Sequence, residues 1–312
     1  MRLIFLGTPD FAVPTLEGIV QAGHQVLLVA TQPDRPSGRG QEMAASPVKQ
    51  AALRLNLPVY QPERIKPPEV AQFLAGLKPD AMALAGYGKI IPQNIIDIPP
   101  HGIINVHASL LPKYRGAAPI QRAIANGETR TGVSTMRIDA GLDTGDILLQ
   151  AETPIGAEET AVELSERLAS LGAALLLETL EGLAAGALVP KKQDSALASY
   201  APVLKKEDGL IDWTRPAFEI HNRVRGFLPW PGCYTRFRDS LLRIWKTRLA
   251  DPAAGLPGLL HPVRGRLRVA CGQGGSLELL EVQLEGRKRI SAAAFLNGQH
   301  LLENEVLGDM GT

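Results

Sequence analysis

Asn105 and His107 stand two residues apart at the end of an Ile- and Val-rich run, Gly102 to His107, that reads as a β-strand. Alternate positions on a strand project to one face, so the carboxamide and the imidazole converge on whatever binds at the strand's C-terminal end. That pair suits a neutral carbonyl: the amide steadies its oxygen while the imidazole moves a proton. An acidic loop, Asp139-Ala140-Gly141-Leu142-Asp143-Thr144-Gly145-Asp146, follows one strand–helix–strand unit later. Such a unit brings the loop back beside His107, where a carboxylate orients an imidazole and tunes its protonation. Asp139, next to a glycine turn, reads as a turn-satisfying residue. Spacing alone leaves Asp143 and Asp146 as alternatives. Taken by themselves, Asn105 and His107 read more readily as satisfied polar residues of a core strand than as chemistry, so the surrounding elements have to decide.

Those elements begin with strand Arg2 to Gly7, a helix started at Thr8-Pro9-Asp10, and a nearly continuous apolar strand, His24 to Ala30. Strand, helix and strand with apolar strands imply a parallel sheet covered on both faces. The first turn, Gly7-Thr8-Pro9-Asp10-Phe11, lacks the Gly-x-Gly-x-x-Gly fingerprint, which disfavours a nicotinamide cofactor. Residues 31–45 form a long exposed loop carrying Arg35 and Arg39, and Ser46-Pro47 caps the helix after it. Strand Asp80 to Leu84 leads into Gly86-Tyr87-Gly88, where two glycines let main chain approach a flat ring closely. A helix over 118–125 precedes strand Val133 to Ile138, and Ile147 to Gln150 returns as a strand. A helical stripe from Glu158 to Gly186 closes the first domain. Residues 187–204 lack periodicity and read as a linker.

The remainder differs in composition. Short β runs near Cys233–Phe237, Leu241–Leu249, Arg266–Ala270 and Ser276–Val282 suggest a small barrel behind a helix over 216–226. Arginines alternate along them (Arg236 and Arg238, Arg266 and Arg268). Residues 1–200 hold 17 Lys and Arg against 20 Asp and Glu, whereas residues 215–289 hold 14 against 6. A basic half on a mildly acidic one points to a polyanion such as a phosphate backbone. Two isolated cysteines, Cys233 and Cys271, exclude a disulfide framework and a zinc knuckle. No membrane-length apolar run occurs, and the expected location is cytoplasmic.

Assembled, these residues resemble the methionyl-tRNA formyltransferases of the formyltransferase superfamily, over essentially the whole chain. The resemblance rests on Gly7-Thr8-Pro9-Asp10-Phe11-Ala12, Gln32-Pro33-Asp34-Arg35-Pro36 with Gly38-Arg39-Gly40, and Asn105 to Pro112. It continues through Arg115-Gly116-Ala117-Ala118-Pro119-Ile120, Gly141 to Asp146, Pro229-Trp230-Pro231-Gly232 and Gly286-Arg287-Lys288-Arg289. It implies a Rossmann-like α/β N-terminal domain with a mostly parallel sheet (1–189), a linker (190–205) and a C-terminal OB-like β-barrel domain (206–312). The implied reaction moves the formyl group of 10-formyltetrahydrofolate onto the α-amine of initiator methionyl-tRNA, with Asn105, His107 and Asp143 as the catalytic trio and no metal. Asp143 is taken over Asp146 because it stands immediately before the family's x-Gly pair. The family's folate contacts carry over to Ser109, Leu110, Leu111 and Pro112, with Gly86, Tyr87 and Gly88 lining the pterin side. Contacts to tRNA are expected from Arg35 and Arg39 in the acceptor-end loop, and from Arg236, Arg238, Arg287, Lys288 and Arg289. One departure stands out: Gln41, Glu42 and Met43 replace the lysines often found after Gly-Arg-Gly, which shifts weight to the basic second domain. A monomer is expected.

Two rival readings use the same residues. A formyltransferase acting on a small amine, such as glycinamide ribonucleotide or an amino sugar, has no need of the basic second half. A non-catalytic RNA-binding protein has no need of the Asn105, His107 and Asp143 set, and a hydrolase releasing formate from the folate needs no basic barrel.

Overall fold

The computed structural model describes residues 1–37 and 42–308. It divides into two compact units. The first takes in residues 1–119, 130–154 and 165–201, and the second residues 120–129, 155–164 and 202–308.

In the first unit β1 (Arg2–Gly7), α1 (Val13–Gln21) and β2 (Gln25–Ala30) form the expected unit of two parallel strands and a helix. Within the long loop after β2, β3 (Arg35–Ser37) and β4 (Glu42–Ala44) pair as an antiparallel ribbon. The sequence reading treats that stretch as irregular, because three-residue strands leave no periodicity to read. α2 (Pro47–Arg54) starts where expected, with Ser46 Oγ accepting from Lys49 N at 3.1 Å. β5 (Val59–Tyr60), α3 (Pro68–Gly76), β6 (Ala81–Ala85), α4 (Gln93–Ile96) and β7 (Ile103–His107) follow, then β8 (Arg130–Arg137), β9 (Ile147–Pro154) and most of α6 (Ala161–Ala184); α5 (Pro119–Ala125), between β7 and β8 in the chain, belongs almost wholly to the second unit.

The sheet runs β5-β2-β1-β6-β7-β8-β9. Its first five strands are parallel, and β8 and β9 are antiparallel. Ile4, Leu6, Met82, Leu84 and Ile103 pack with Val70, Leu74 and Ile95 from α3 and α4 on one face. On the other face α6 approaches closely at Gly172, where an added Cβ would fall 2.6 Å from Val106 Cγ1. Each large side chain so buried contributes roughly 1.5–3 kcal/mol. Strand order reverses between β1 and β6, so the turns after those two strands flank the crevice where ligands of open α/β sheets bind.

Residues 190–201, read from sequence as linker, lie in the first unit as an ordered strap. Lys191 exchanges backbone hydrogen bonds with Ile147, and Arg115 donates its N–H to Ser199 O and accepts from Ala201 N.

The second unit has α7 (Ala217–Gly226), then β10 (Cys233–Phe237), β11 (Ser240–Ala250), β12 (Leu260–Val263), β13 (Arg266–Ala270), β14 (Ser276–Leu284), β15 (Ile290–Ser291) and α8 (Ala292–Gly298). The strands form an antiparallel, barrel-like sheet in the order β10-β11-β14-β13-β12, with β15 on β14. Irregular register on β11 between Ile244 and Thr247 supplies the local kink that lets so long a strand curve. Burial pushes the Cys233 and Cys271 thiols up to about 12, so both are neutral core residues. No helix among the described residues is long and apolar enough to cross a membrane.

Candidate active site

Every residue of β7 is buried. Val106 packs toward α6, so its neighbours Asn105 and His107 project from the opposite face of the sheet. Each is only 6 % exposed. His107 Nε2 lies 2.9 Å from the carbonyl oxygen of Tyr114. A carbonyl can only accept, so Nε2 carries the proton and Nδ1 is the nitrogen left to take or give one. Nδ1 faces Asp143 Oδ2 at 3.7 Å, too far for a hydrogen bond. That same carboxylate oxygen accepts from Gly116 N at 2.8 Å. The Asn105 carboxamide makes no hydrogen bond among the described residues, although its side chain is nine-tenths buried.

Asp143 reaches His107 by a route the sequence reading misses. That reading brings the loop back through a strand–helix–strand unit, and β7, α5 and β8 are such a unit. Yet β8 is antiparallel to β7, pairing Ile104 with Arg137 and His107 with Ser134. The chain therefore leaves β8 beside the start of β7, where Ile138 N donates to Ile103 O at 2.8 Å. The acidic loop then carries Asp143 to Gly116 and His107. Asp143 adopts the left-handed backbone region, φ 50°, which aspartate and asparagine enter more readily than other residues with a side chain. Asp139 has the turn role expected of it, accepting from Gly141 N and Thr144 Oγ1. Of the two open alternatives, Asp143 is the residue placed against His107.

Four of the expected folate contacts sit in the turn after β7. Ser109 Oγ donates to Lys113 O at 2.6 Å, and Ser109 O accepts from Ser134 Oγ at 2.7 Å. Leu111 is buried against Met136 and Ile147. Both side chains are therefore committed to shaping the turn, while Leu110 and Pro112 keep partial exposure. At the crevice, Gly86 has φ 56° and an added Cβ would meet Pro9 Cγ at 2.8 Å, so only glycine lets the turns after β1 and β6 touch. The Tyr87 ring is closed off from solvent within the core formed with Ile4, Leu6 and Met82, and burial pushes its phenol up to about 12. Its carbonyl accepts from Gln32 Nε2 at 2.9 Å and Thr8 Oγ1 at 3.3 Å. The ring thus offers no exposed surface, and what the turn presents at Tyr87 is main chain. The turn faces the crevice through Gly86, Gly88 and main chain.

Two side chains that the sequence reading leaves without a role complete the neighbourhood. Arg115 is only 3 % exposed, and its Nε and Nη2 donate to Gln193 Oε1 at 3.0 and 2.8 Å. Gln193 Nε2 in turn donates to the carbonyls of Asp143 and Gly145 at 2.8 and 2.7 Å. Arg115 lies inside a motif that carries the resemblance and could have been singled out there. Gln193 sits in an aperiodic stretch and gives no sequence signal.

The residues expected to meet tRNA fall into distinct groups. Arg35, Arg236, Arg287 and Lys288 are exposed. Arg39 lies outside the described residues. Arg238 is engaged within the second unit: it pairs with both oxygens of Glu305, donates to His300 O at 2.8 Å and lies over the Phe237 ring. Arg289 pairs with Glu281 and stacks on Trp245. Farther along the barrel, Arg248 and Arg266 both approach Glu278, and Arg268 approaches Asp251. The alternating arginines are consequently less free than a charge count implies.

A mostly parallel α/β sheet with Asn, His and Asp gathered beside one strand end, followed by an antiparallel barrel-like domain, is the architecture of the enzymes that transfer formyl groups. The chain belongs to the formyl transferase family: residues 1–180 match the Formyl transferase domain and residues 203–300 the Formyl transferase C-terminal domain. It is 66 % identical to a methionyl-tRNA formyltransferase of Solibacter usitatus across 99 % of both chains. It is 57 % identical to one of Koribacter versatilis across the whole of both. Among solved structures it shares its fold with WlaRD, a sugar 3N-formyl transferase crystallised in the presence of dTDP and 5-N-formyl-THF. The TM-score there is 0.68 at 21 % identity, over 92 % of this chain and 99 % of that one.

Proposed function

We propose that the protein transfers the formyl group of 10-formyltetrahydrofolate to the α-amine of methionine on initiator methionyl-tRNA, for translation initiation in the cytoplasm. It would do so as a monomer, with residues 1–189 carrying the chemistry, 190–205 as connector and 206–312 binding tRNA. Full-length relatives of that name support the reaction. The observation that carries the site assignment is His107, held with one nitrogen on the Tyr114 carbonyl and the other toward Asp143, beside the unengaged amide of Asn105.

In the transfer the methionine amine forms a bond to the formyl carbon, the bond from that carbon to the folate nitrogen breaks, and the attacking nitrogen's proton is balanced by one delivered to the departing nitrogen. Asn105 donates to the formyl oxygen as negative charge gathers there, a role worth roughly 3–4 kcal/mol for comparable donors. His107 Nδ1 passes the proton, and Asp143 stabilises the imidazolium formed meanwhile. Leu110, Pro112 and the Gly86 to Gly88 main chain bound the folate, with Ser109 and Leu111 shaping that surface from beneath. Arg35, Arg39, Arg236, Arg287 and Lys288 contact the phosphate backbone, with Arg238 and Arg289 contributing through the segments they anchor.

The test is formyl transfer from 10-formyltetrahydrofolate to charged initiator tRNA, with uncharged tRNA, glycinamide ribonucleotide and an amino sugar as alternative acceptors. Transfer to the charged tRNA alone is expected. Transfer to a small amine in its place supports the small-substrate reading, and tRNA binding without transfer supports the non-catalytic one.

A further inference from the structure

We infer that Gln193 is a positioning residue for Asp143, acting as a hydrogen-bonded clasp between the two loops that flank His107. The inference rests on the assignment of Asp143 to catalysis above.

The loop after β7 supplies Tyr114, whose carbonyl fixes the His107 ring, and Gly116, whose N–H holds the Asp143 carboxylate. The loop between β8 and β9 supplies Asp143 itself. The amide of Gln193, on the strap of residues 190–201, engages both loops at once. Its oxygen takes two donors from the Arg115 guanidinium, and its nitrogen gives both protons to the Asp143 and Gly145 carbonyls. All the hydrogen-bonding capacity of the NH₂ group, and both acceptor sites of the oxygen, are thereby used. No other side chain of this length fills both roles: glutamate keeps the acceptor and loses the donors, and lysine keeps donors and loses the acceptor.

The clasp acts where the backbone needs it. Asp143 is held at φ 50°, and Gly145 comes so near Arg137 that an added Cβ would lie 1.9 Å from its carbonyl oxygen. Gly116, at φ 117°, lies against Ala201 of the same strap, its missing Cβ 2.8 Å from that carbonyl. Charge strengthens the arrangement. Arg115 is nearly closed to solvent, and its donation polarises the Gln193 amide, strengthening the bonds on the far side. Without the clasp the Asp143 carboxylate keeps its bond to Gly116 N but loses two restraints on its backbone. A displacement of about 1 Å from reacting groups costs about 100-fold in rate.

The experiment is a double-mutant cycle on formyl transfer, measured on Gln193→Ala, Asp143→Ala and the double variant. Gln193→Ala is expected to lower kcat about 10- to 100-fold with the KM for folate and for charged tRNA unchanged. In the Asp143→Ala background the same substitution is expected to change kcat by less than about 2-fold, because the group it positions is gone. Gln193→Glu, which still accepts from Arg115, is expected to behave like Gln193→Ala. Equal losses from Gln193→Ala in both backgrounds would make it a general structural residue and overturn the inference, as would a Gln193→Glu enzyme with wild-type kcat. If Asp143→Ala itself retains wild-type kcat, the catalytic assignment fails instead. Tm measured on all variants separates any loss of folding from these outcomes.

Discussion

Each unit buries one histidine to nearly the same depth, His107 at 6 % exposure in the first and His221 at 5 % in the second. Their partners differ. His107 has a carbonyl on one nitrogen and a carboxylate facing the other, beside an amide that makes no hydrogen bond among the described residues. His221 has the Thr247 hydroxyl 2.9 Å from Nδ1, while Nε2 faces Glu158 at 3.6 Å beside the Ala157 main chain. Burial alone therefore says little about chemistry. What distinguishes the first histidine is that its partners fix one tautomer, leave the second nitrogen a proton-accepting role, and are themselves held by further hydrogen bonds. The second is a helix-to-sheet packing residue, on α7 against β11.

The largest effects should fall on the first of these environments. His107→Ala and Asp143→Ala are each expected to lower kcat by roughly 10²–10⁴-fold, and Asn105→Ala by roughly 10²–10³-fold, in single-turnover formyl transfer. Folate affinity, read by equilibrium titration, should be retained. His221→Gln should leave kcat within about 2-fold of wild type. Comparable losses at both histidines would erase the distinction and point to a stability effect shared by the two.

A second contrast runs through the basic residues. Arg287 and Lys288 are exposed, while Arg238 is held by Glu305 and by the His300 carbonyl. Replacing Arg287 and Lys288 by alanine is expected to weaken tRNA binding and to reduce the slope of log affinity against log salt by about 1 per residue. Arg238→Ala should leave that slope unchanged and lower Tm by a few degrees, since it strips the partner from a largely buried Glu305 carboxylate. A salt slope that falls for Arg238→Ala and not for the other pair would reverse the division.

The elements were legible where periodicity is strong: the parallel strands, the helix capped by Ser46 and the Asn105/His107 alternation all follow from apolar spacing and turn chemistry. Short pieces such as the β3–β4 ribbon, α4, β12 and α8 carry too few residues for a period to emerge. The proximity of Asp143 to His107 was anticipated, but through a unit that says nothing of the antiparallel β8 or the left-handed turn that deliver it. Strand direction after a crossover is settled by sheet packing, which spacing does not encode. Side-chain pairing was the least accessible. Whether Arg238 is free depends on Glu305, 67 residues away, and the clasp made by Gln193 depends on loops 50 and 78 residues distant.

The smallest expected effect is a pH dependence that belongs to His221 and not to the chemistry. Burial, the largest influence, holds its protonation below the ordinary value of 6.5; Glu158 and a hydrogen bond to the Ala157 main chain oppose it, and Arg225 acts with it. Above 6.5 the imidazole is neutral whether the chain is folded or not, and contributes no pH dependence. As pH falls through 6.5 the unfolded chain binds a proton that the folded chain does not, so stability declines, at most by about 1.4 kcal/mol per pH unit, until the folded-state group titrates as well. His221→Gln keeps a side chain able to bond the Thr247 hydroxyl and removes the titration. The difference in Tm between wild type and this variant should therefore stay constant from about pH 8 to 7 and shift toward the variant between about pH 6.5 and 5. Parallel Tm profiles across that lower range would mean that the second unit accommodates a charged imidazole beside Glu158, and that its histidine is less different from His107 than its partners imply.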